Sequence, residues 1–534
     1  MWYSVCTGSL AILTITYLIS SHTRNKRQEH HQSLLQRGDG CKPPRIIPNK
    51  WWPPFGLDKL ALVLQAEGSK TYPLLMLQEH EAKGDTYAQF GGPVFTVLTR
   101  DRGNIREVLS RQQKNFDIGS ARAGCVAPLL GDGIFTQDGS KWERSRRMLA
   151  PLIQRPTLPD LDLIERHFQR LLGKIKRAHA ATAAEQTIDL KPFLFDFSLE
   201  TTTEFLLGNP LDGENAQDQS FWSDSFAREF NTAFAWISKR ERLKGFYWMI
   251  DGIKFRQACR RARKIVHDAI TRSMGRLRER PPREKETHVA MEPLFRNKEG
   301  EVQMIRDQFL NLLLAGRDTS GSLLCWTFYA LAREPGIVAA LQKEMKNILG
   351  PGLGREPTKG DLNRMPILDR FITETLRVFP PVPINGRFSN TATTLPHGGG
   401  PDGSSPILVP KGTLVAFSTF AVHHDKNVYG PDASEFRIDR WTDDAIKERR
   451  MIDWSYFPFL GGPRKCLGER FALVEAKYLV VRMLQYFESI VAVNENGAEE
   501  TVAKDGAWVD DVKYHVGLTM SPDEGVWVRL KSSS

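Results

Sequence analysis

The sequence predicts a mostly α-helical protein with a small β region, preceded by a single N-terminal transmembrane helix. Three observations carry that expectation. Long helical patterns run to about residue 290 and recur at residues 308–330, 371–379 and 469–482. Strand-like runs are short, as in Pro93-Val-Phe-Thr-Val-Leu-Thr99. No charged side chain occurs from Met1 to Ser21.

That first stretch is about the length a helix needs to cross a bilayer. Arg24, Lys26 and Arg27 follow it at once and no basic segment precedes it, the reverse of a cleaved signal. Residues 1–21 are therefore expected to stay as an anchor, with the body of the protein in the cytosol. Residues 22–60 form a basic and proline-rich linker, in which Trp51, Trp52 and Phe55 suit the headgroup layer. Residues 61–534 remain for the main domain. Hydrophobic residues at 41% and charged residues at 25% are ordinary globular values, with no fixed-period repeat. A net charge of +10 favours anionic membranes or acidic partners, and no nucleic-acid recognition motif accompanies it. The six cysteines are scattered without CxxC or Cys/His spacing, which suggests neither a zinc site nor a disulfide framework and fits a reducing compartment.

The stretch with most chemical content is Phe459-Leu-Gly-Gly-Pro-Arg-Lys-Cys-Leu-Gly468, a Gly/Pro-rich loop running into the amphipathic segment Glu469–Arg482. It would present Cys466 at a helix N-terminus, where first-turn N–H groups favour a thiolate. Gly462 and Gly468 would allow close backbone approach or positive φ, and Arg464 would supply a nearby cation. The pattern Phe-x-x-Gly-x-Arg-x-Cys-x-Gly resembles the heme-binding loop of the cytochrome P450 superfamily. By that resemblance Cys466 is the axial heme-iron ligand, and Phe459, Gly462, Arg464 and Gly468 belong to the heme loop.

Three further stretches extend the resemblance. Trp142 and Arg146, at i and i+4 on one helix face, match the family's Trp-x-x-x-Arg, whose side chains hold a heme propionate. Ala315-Gly-Arg-Asp-Thr-Ser320 lies in a strongly apolar helix, and its Gly and Thr are expected to open the backbone ladder locally. It matches the family's oxygen-activation motif, in which Thr319 assists oxygen activation and Asp318 relays protons from solvent. Glu374 and Arg377 match Glu-x-x-Arg, with Arg440 of Phe436-Arg-Ile-Asp-Arg-Trp441 as third partner; Ile438 and Asp439 replace the usual Pro and Glu. These three are expected to support the heme loop structurally. Arg387 matches a further propionate-binding arginine, and His423-His424-Asp425 is expected to be structural rather than a metal site.

The resemblance, covering roughly residues 80–530, implies a triangular, mostly α heme domain. It implies insertion of one oxygen atom from O2 into a C–H bond of a lipophilic substrate. Electrons would come from NADPH through a cytochrome P450 reductase, with cytochrome b5 as a further donor. The site implied is the endoplasmic reticulum membrane, with a single-pass anchor. Gly131–Phe135, Ala315–Thr319, Trp326–Tyr329 and Pro381–Asn385 look like fungal members acting on n-alkanes and fatty acids, whose relatives tailor terpenoids and polyketides. Two alternatives are a heme-thiolate isomerase or dehydratase, which usually lacks the acid–Thr pair, and a non-catalytic membrane-tethered heme-binding protein, which has no need of it.

Overall fold

The computed structural model describes residues 40–48, 57–91, 94–154, 160–181, 187–208, 225–279, 290–297, 302–351, 354–442, 454–500 and 511–532. The expected anchor and Trp51, Trp52 and Phe55 lie outside these residues. Among the described residues no helix is long and apolar enough to cross a membrane.

The longer helices are α1 (Leu57–Gly68), α2 (Tyr72–Lys83), α3 (Ser120–Leu130), α4 (Gly139–Ile153), α5 (Leu161–Ala181), α6 (Leu190–Leu207), α7 (Ala227–Arg242), α8 (Ile253–Glu279), α9 (Val302–Arg333), α10 (Pro335–Leu349), α11 (Pro366–Val378) and α12 (Glu469–Tyr486). The strands that matter for the site are β1 (Ile46–Ile47), β2 (Thr86–Gly91), β3 (Val94–Thr99), β4 (Phe116–Asp117), β5 (Thr187–Asp189), β6 (Ile384–Ser389), β7 (Thr393–Gly399), β8 (Ser405–Val409) and β9 (Leu414–Ser418). A mixed sheet has the order β1-β2-β3-β9-β6-β4. Its β6 and β9 are antiparallel, Arg387 facing Val415 across the ladder. β7 and β8 form a separate hairpin around the expected Gly/Pro-rich loop.

The main hydrophobic core surrounds α9, whose residues from Phe309 to Leu314 and from Ser320 to Phe328 are all buried. A helix so apolar can lose water only in the interior. Two glycines bring α6 against it: a Cβ at Gly316 would lie 2.5 Å from Thr202, and one at Gly321 would lie 2.6 Å from Phe195. Gly316 therefore serves helix packing. The expected local opening is absent, since α9 runs unbroken from Val302 to Arg333. The Thr319 hydroxyl donates to the Ala315 carbonyl at 2.5 Å without displacing the ladder, because a carbonyl has a second lone pair.

A second, smaller core joins the sheet to the segment Glu107–Arg111 and includes Ile105, Val108, Leu109, Phe417 and Phe457. Proline positions delimit helices as stereochemistry requires: Pro335 and Pro366 open α10 and α11, and α11 ends before Pro380.

Candidate functional site

The loop that carries Cys466 is fixed by backbone geometry. Gly462 has φ of 67°, and a Cβ there would lie 1.9 Å from the Leu109 carbonyl oxygen. Only glycine meets both demands. Gly468, by contrast, has an ordinary φ of −91° and stands at the N-cap of α12. The Cys466 N–H donates to the Phe459 carbonyl at 3.0 Å, which closes the loop.

Cys466 is surface-accessible, yet protein surrounds it closely enough that burial raises its thiol pKa; the Gly468 N–H opposes that rise, as do Arg146 and Lys465. The cations that the sulfur feels are Arg146 and Lys465. The Arg464 guanidinium pairs with Asp138 at 2.8 Å and lies 4.1 Å over the Trp142 ring.

Helix α4 delivers Trp142, which is buried, and Arg146, which donates to the Lys465 carbonyl at 2.9 Å. The two share a face, 5.9 Å apart. Strand β6 delivers Arg387, 5% exposed, whose Nη1 donates to Asn385 Oδ1 at 2.8 Å and to the Gly386 carbonyl. Arg122 on α3, missed in the sequence because no motif marks it, donates to the same Asn385 oxygen at 3.0 Å. Burial, and then the nearby Arg122 and Arg464, push Arg387 down to about 9. A buried guanidinium so poorly compensated lacks an anion. Thiol, cations and indole match what an iron porphyrin with two carboxylates requires: one soft axial donor, and guanidiniums for its propionates.

The acid–threonine pair sits on α9. Asp318 is 3% exposed, and its Oδ1 accepts from Arg317 Nη1 at 2.8 Å. Burial raises its pKa and Arg317 opposes the rise; Oδ2 has no hydrogen-bond partner.

Behind the loop, Glu374 and Arg377 are completely buried and joined at 2.8 Å through both carboxylate oxygens. Arg440 Nε lies 3.4 Å from Glu374 and its Nη2 2.8 Å from Asp432. His423 accepts from the Phe457 N–H at 3.1 Å and sits 3.2 Å from the Arg377 carbonyl, while Asp425 caps a short helix. Among the described residues no cluster of three His, Cys, Asp or Glu could hold a metal ion.

Glu475 on α12 was also missed, because a lone Glu in an amphipathic helix reads as surface. It is fully buried and accepts from the Thr201 hydroxyl at 2.5 Å and from Ser320, the neighbour of Thr319. Burial pushes its carboxyl up to about 7. The folded state thus holds a proton that the unfolded chain releases near its ordinary pKa of 4.5, and stability falls as pH rises from there to about 7. Glu475→Gln should therefore stabilise the fold at pH 8 by up to about 3 kcal/mol. The gain should vanish below pH 4.5, and denaturant midpoints at both pH values check it.

An enclosed thiol, a poorly compensated guanidinium at Arg387 and an acid–threonine pair on a central apolar helix suit a heme-thiolate oxygenase by class. Comparison with known proteins gives the family. The cytochrome P450 profile matches residues 53–505. A cytochrome P450 of Arthroderma benhamiae is 34% identical over 98% of this chain and 99% of its own. Cytochrome P450 monooxygenase g430 of a Fusarium species is 33% identical over 93% and 88% of the two chains. Cytochrome P450 52A13 of Debaryomyces hansenii is 36% identical over 82% of each. A crystal structure of a mutant cytochrome P450 heme domain shares the fold, with a TM-score of 0.69 at 21% identity, covering 92% of this chain and 98% of that one. This chain belongs to the cytochrome P450 family. It is a heme-dependent monooxygenase acting on a lipophilic substrate, with electrons from NADPH through a reductase.

Proposed function

We propose that this enzyme hydroxylates the apolar chain of a fatty-acid or alkane-type substrate at an unactivated C–H bond. The observation that carries the site assignment is the convergence of Cys466, Trp142, Arg146, Arg387 and Arg464 from three separate parts of the chain. In this reading Cys466 would ligate the heme iron, and Trp142, Arg146, Arg387, Arg464 and Arg122 would hold its propionates. Phe459, Gly462 and Gly468 shape the loop, and Glu374, Arg377 and Arg440 brace it. Bound there, heme supplies oxygen activation.

The chain's own residues manage protons and water. Asp318 relays protons from solvent, its carboxylate taking one up and passing it on, and the Thr319 hydroxyl, anchored on the Ala315 carbonyl, holds a fixed hydrogen-bonding position beside it. Thr319→Ala is expected to leave heme content and substrate binding unchanged. Product formed per NADPH consumed should fall about tenfold, in line with the loss of one positioned general-acid contact. Full coupling in that variant would remove Thr319 from the mechanism.

The substrate assignment is supported by the motif resemblance at Gly131–Phe135 and Pro381–Asn385 and by relatives named in the 52A series. It is tested by a ferrous–CO difference spectrum alongside a titration of the ferric protein with a saturated fatty acid. A strongly red-shifted Soret band with a low-to-high-spin response supports it. A thiolate spectrum without that response overturns the fatty-acid assignment in favour of a terpenoid or polyketide.

A membrane setting completes the proposal, with residues 1–21 as a single-pass anchor in the endoplasmic reticulum, 22–60 as linker and 61–534 as the catalytic domain facing the cytosol. Among the described residues, six of the seven exposed large hydrophobics, Ile46, Leu62, Leu64, Trp248, Met249 and Ile253, fall on β1, α1, the α7–α8 connection and the start of α8. Glu67 of α1 pairs with Arg242 at the end of α7, which ties these elements together. Arg144 and Arg147 of α4 are exposed, as is Lys465, next to the thiolate loop. That surface suits an acidic reductase, and cytochrome b5 after it.

A further inference from the structure

We infer that Arg317 is a positioning residue for this chemistry, one that aims the Asp318 carboxylate and ties it to α7 through Asn231. The inference rests on the role proposed above for Asp318. Arg317 precedes Asp318 on α9 and is 7% exposed, yet its planar fork serves two partners at once. One nitrogen donates to Asp318 Oδ1 at 2.8 Å and the other to Asn231 Oδ1 at 2.7 Å. Asn231 stands on the solvent face of α7.

The guanidinium is held in a built slot. Its carbon lies 5.7 Å from the Phe195 ring of α6 and 5.3 Å from the Phe230 ring of α7. The Ser198 hydroxyl of α6 donates to the Arg317 carbonyl at 2.9 Å, which fixes the backbone beneath. Such a slot selects one rotamer of a side chain that otherwise loses much entropy on burial.

The electrostatics follow. Asp318 has Arg317 as its charged neighbour. Arg317 is in turn within reach of Asp196 on α6, which pairs with Lys174 of α5. Burial raises the Asp318 carboxyl, and Arg317 opposes that rise by favouring the ionised form. With Oδ1 engaged, Oδ2 is the oxygen left to exchange a proton. The bridge to Asn231 makes the orientation of this acid depend on where α7 stands.

The experiment uses the full-length enzyme with its reductase and compares Arg317→Gln, Arg317→Lys, Asn231→Ala, Asp318→Asn and the double variant Arg317→Gln/Asp318→Asn. Arg317→Gln should lower product per NADPH about tenfold, the scale of one hydrogen bond to a charged group. KM should hold, and the acid limb of the kcat–pH profile should move to higher pH, because removing the cation raises the Asp318 pKa. Arg317→Lys should restore part of the coupling. Asn231→Ala, at an exposed position, should shift coupling the same way by a smaller factor. The double variant should match Asp318→Asn.

A normal pH profile and coupling in Arg317→Gln and Asn231→Ala, with Asp318→Asn impaired, would overturn the inference alone. Losses that multiply in the double variant would do the same. An unimpaired Asp318→Asn would instead overturn the acid's role and the inference with it.

Discussion

Cys466→Ala should yield a folded protein with no heme-derived Soret band, no ferrous–CO response and no detectable product. None of the other described cysteines can replace the lost sulfur. Cys125, Cys259 and Cys325 are buried in the main core, with burial pushing the first two thiols up to about 12 and the third further still. Cys41 belongs to the segment ahead of β2. The fold itself should survive, because the loop closes through Gly462 and the Phe459 carbonyl rather than through the thiol. Far-ultraviolet circular dichroism and heme content, measured on the same preparation, separate loss of ligand from loss of fold. Retained heme and turnover would refute the ligand assignment.

Glu374→Ala should have the largest effect on stability, about 3–5 kcal/mol, the cost of removing one partner from a buried ion pair. Its carboxylate accepts from Arg377 twice, from the Arg437 N–H at 2.8 Å and from the Trp441 indole at 2.8 Å. Deleting it strands the fully buried Arg377 guanidinium, while Arg440 keeps Asp432. A loss of that size is a large part of the stability of a typical protein, so the variant should unfold at much lower denaturant and bind little heme. Glu374→Gln keeps the shape and two acceptor sites and should fall between. A denaturant midpoint unchanged from wild type would show that the network contributes nothing net.

Much of this was legible in the sequence, because each motif is a local spacing that a helix or loop converts directly into geometry. Glu374 and Arg377 stand one turn apart, and Trp142 and Arg146 likewise. Illegible were features that depend on a distant segment. Gly316 reads as a helix defect beside Thr319 until Thr202 of α6 is seen against it. Asp307, Gln308 and Asn311 interrupt an apolar helix for no visible reason. In the structure they accept from the N–H groups of Asp132, Ile134 and Phe135 at about 3 Å, docking a glycine-rich turn onto α9. Arg464 pairs with Asp138 and lies over the Trp142 ring, both far upstream in the chain. Glu475 and Arg122 gain meaning only from Ser320, Thr201 and Asn385, none of which is near them in sequence.

The contact between Gly462 and the Leu109 carbonyl has a consequence for the order of events in folding. The thiolate loop is moulded against a backbone segment far upstream, across most of the chain's length. Contacts of such wide separation carry the greatest loop-closure cost and form late. The loop can take its final shape only after Glu107–Arg111 and the sheet behind them are in place. A ribosome-bound chain lacking its C-terminal helix α12 can therefore build the sheet and α9, while the cradle for the prosthetic group waits for the last segment to arrive.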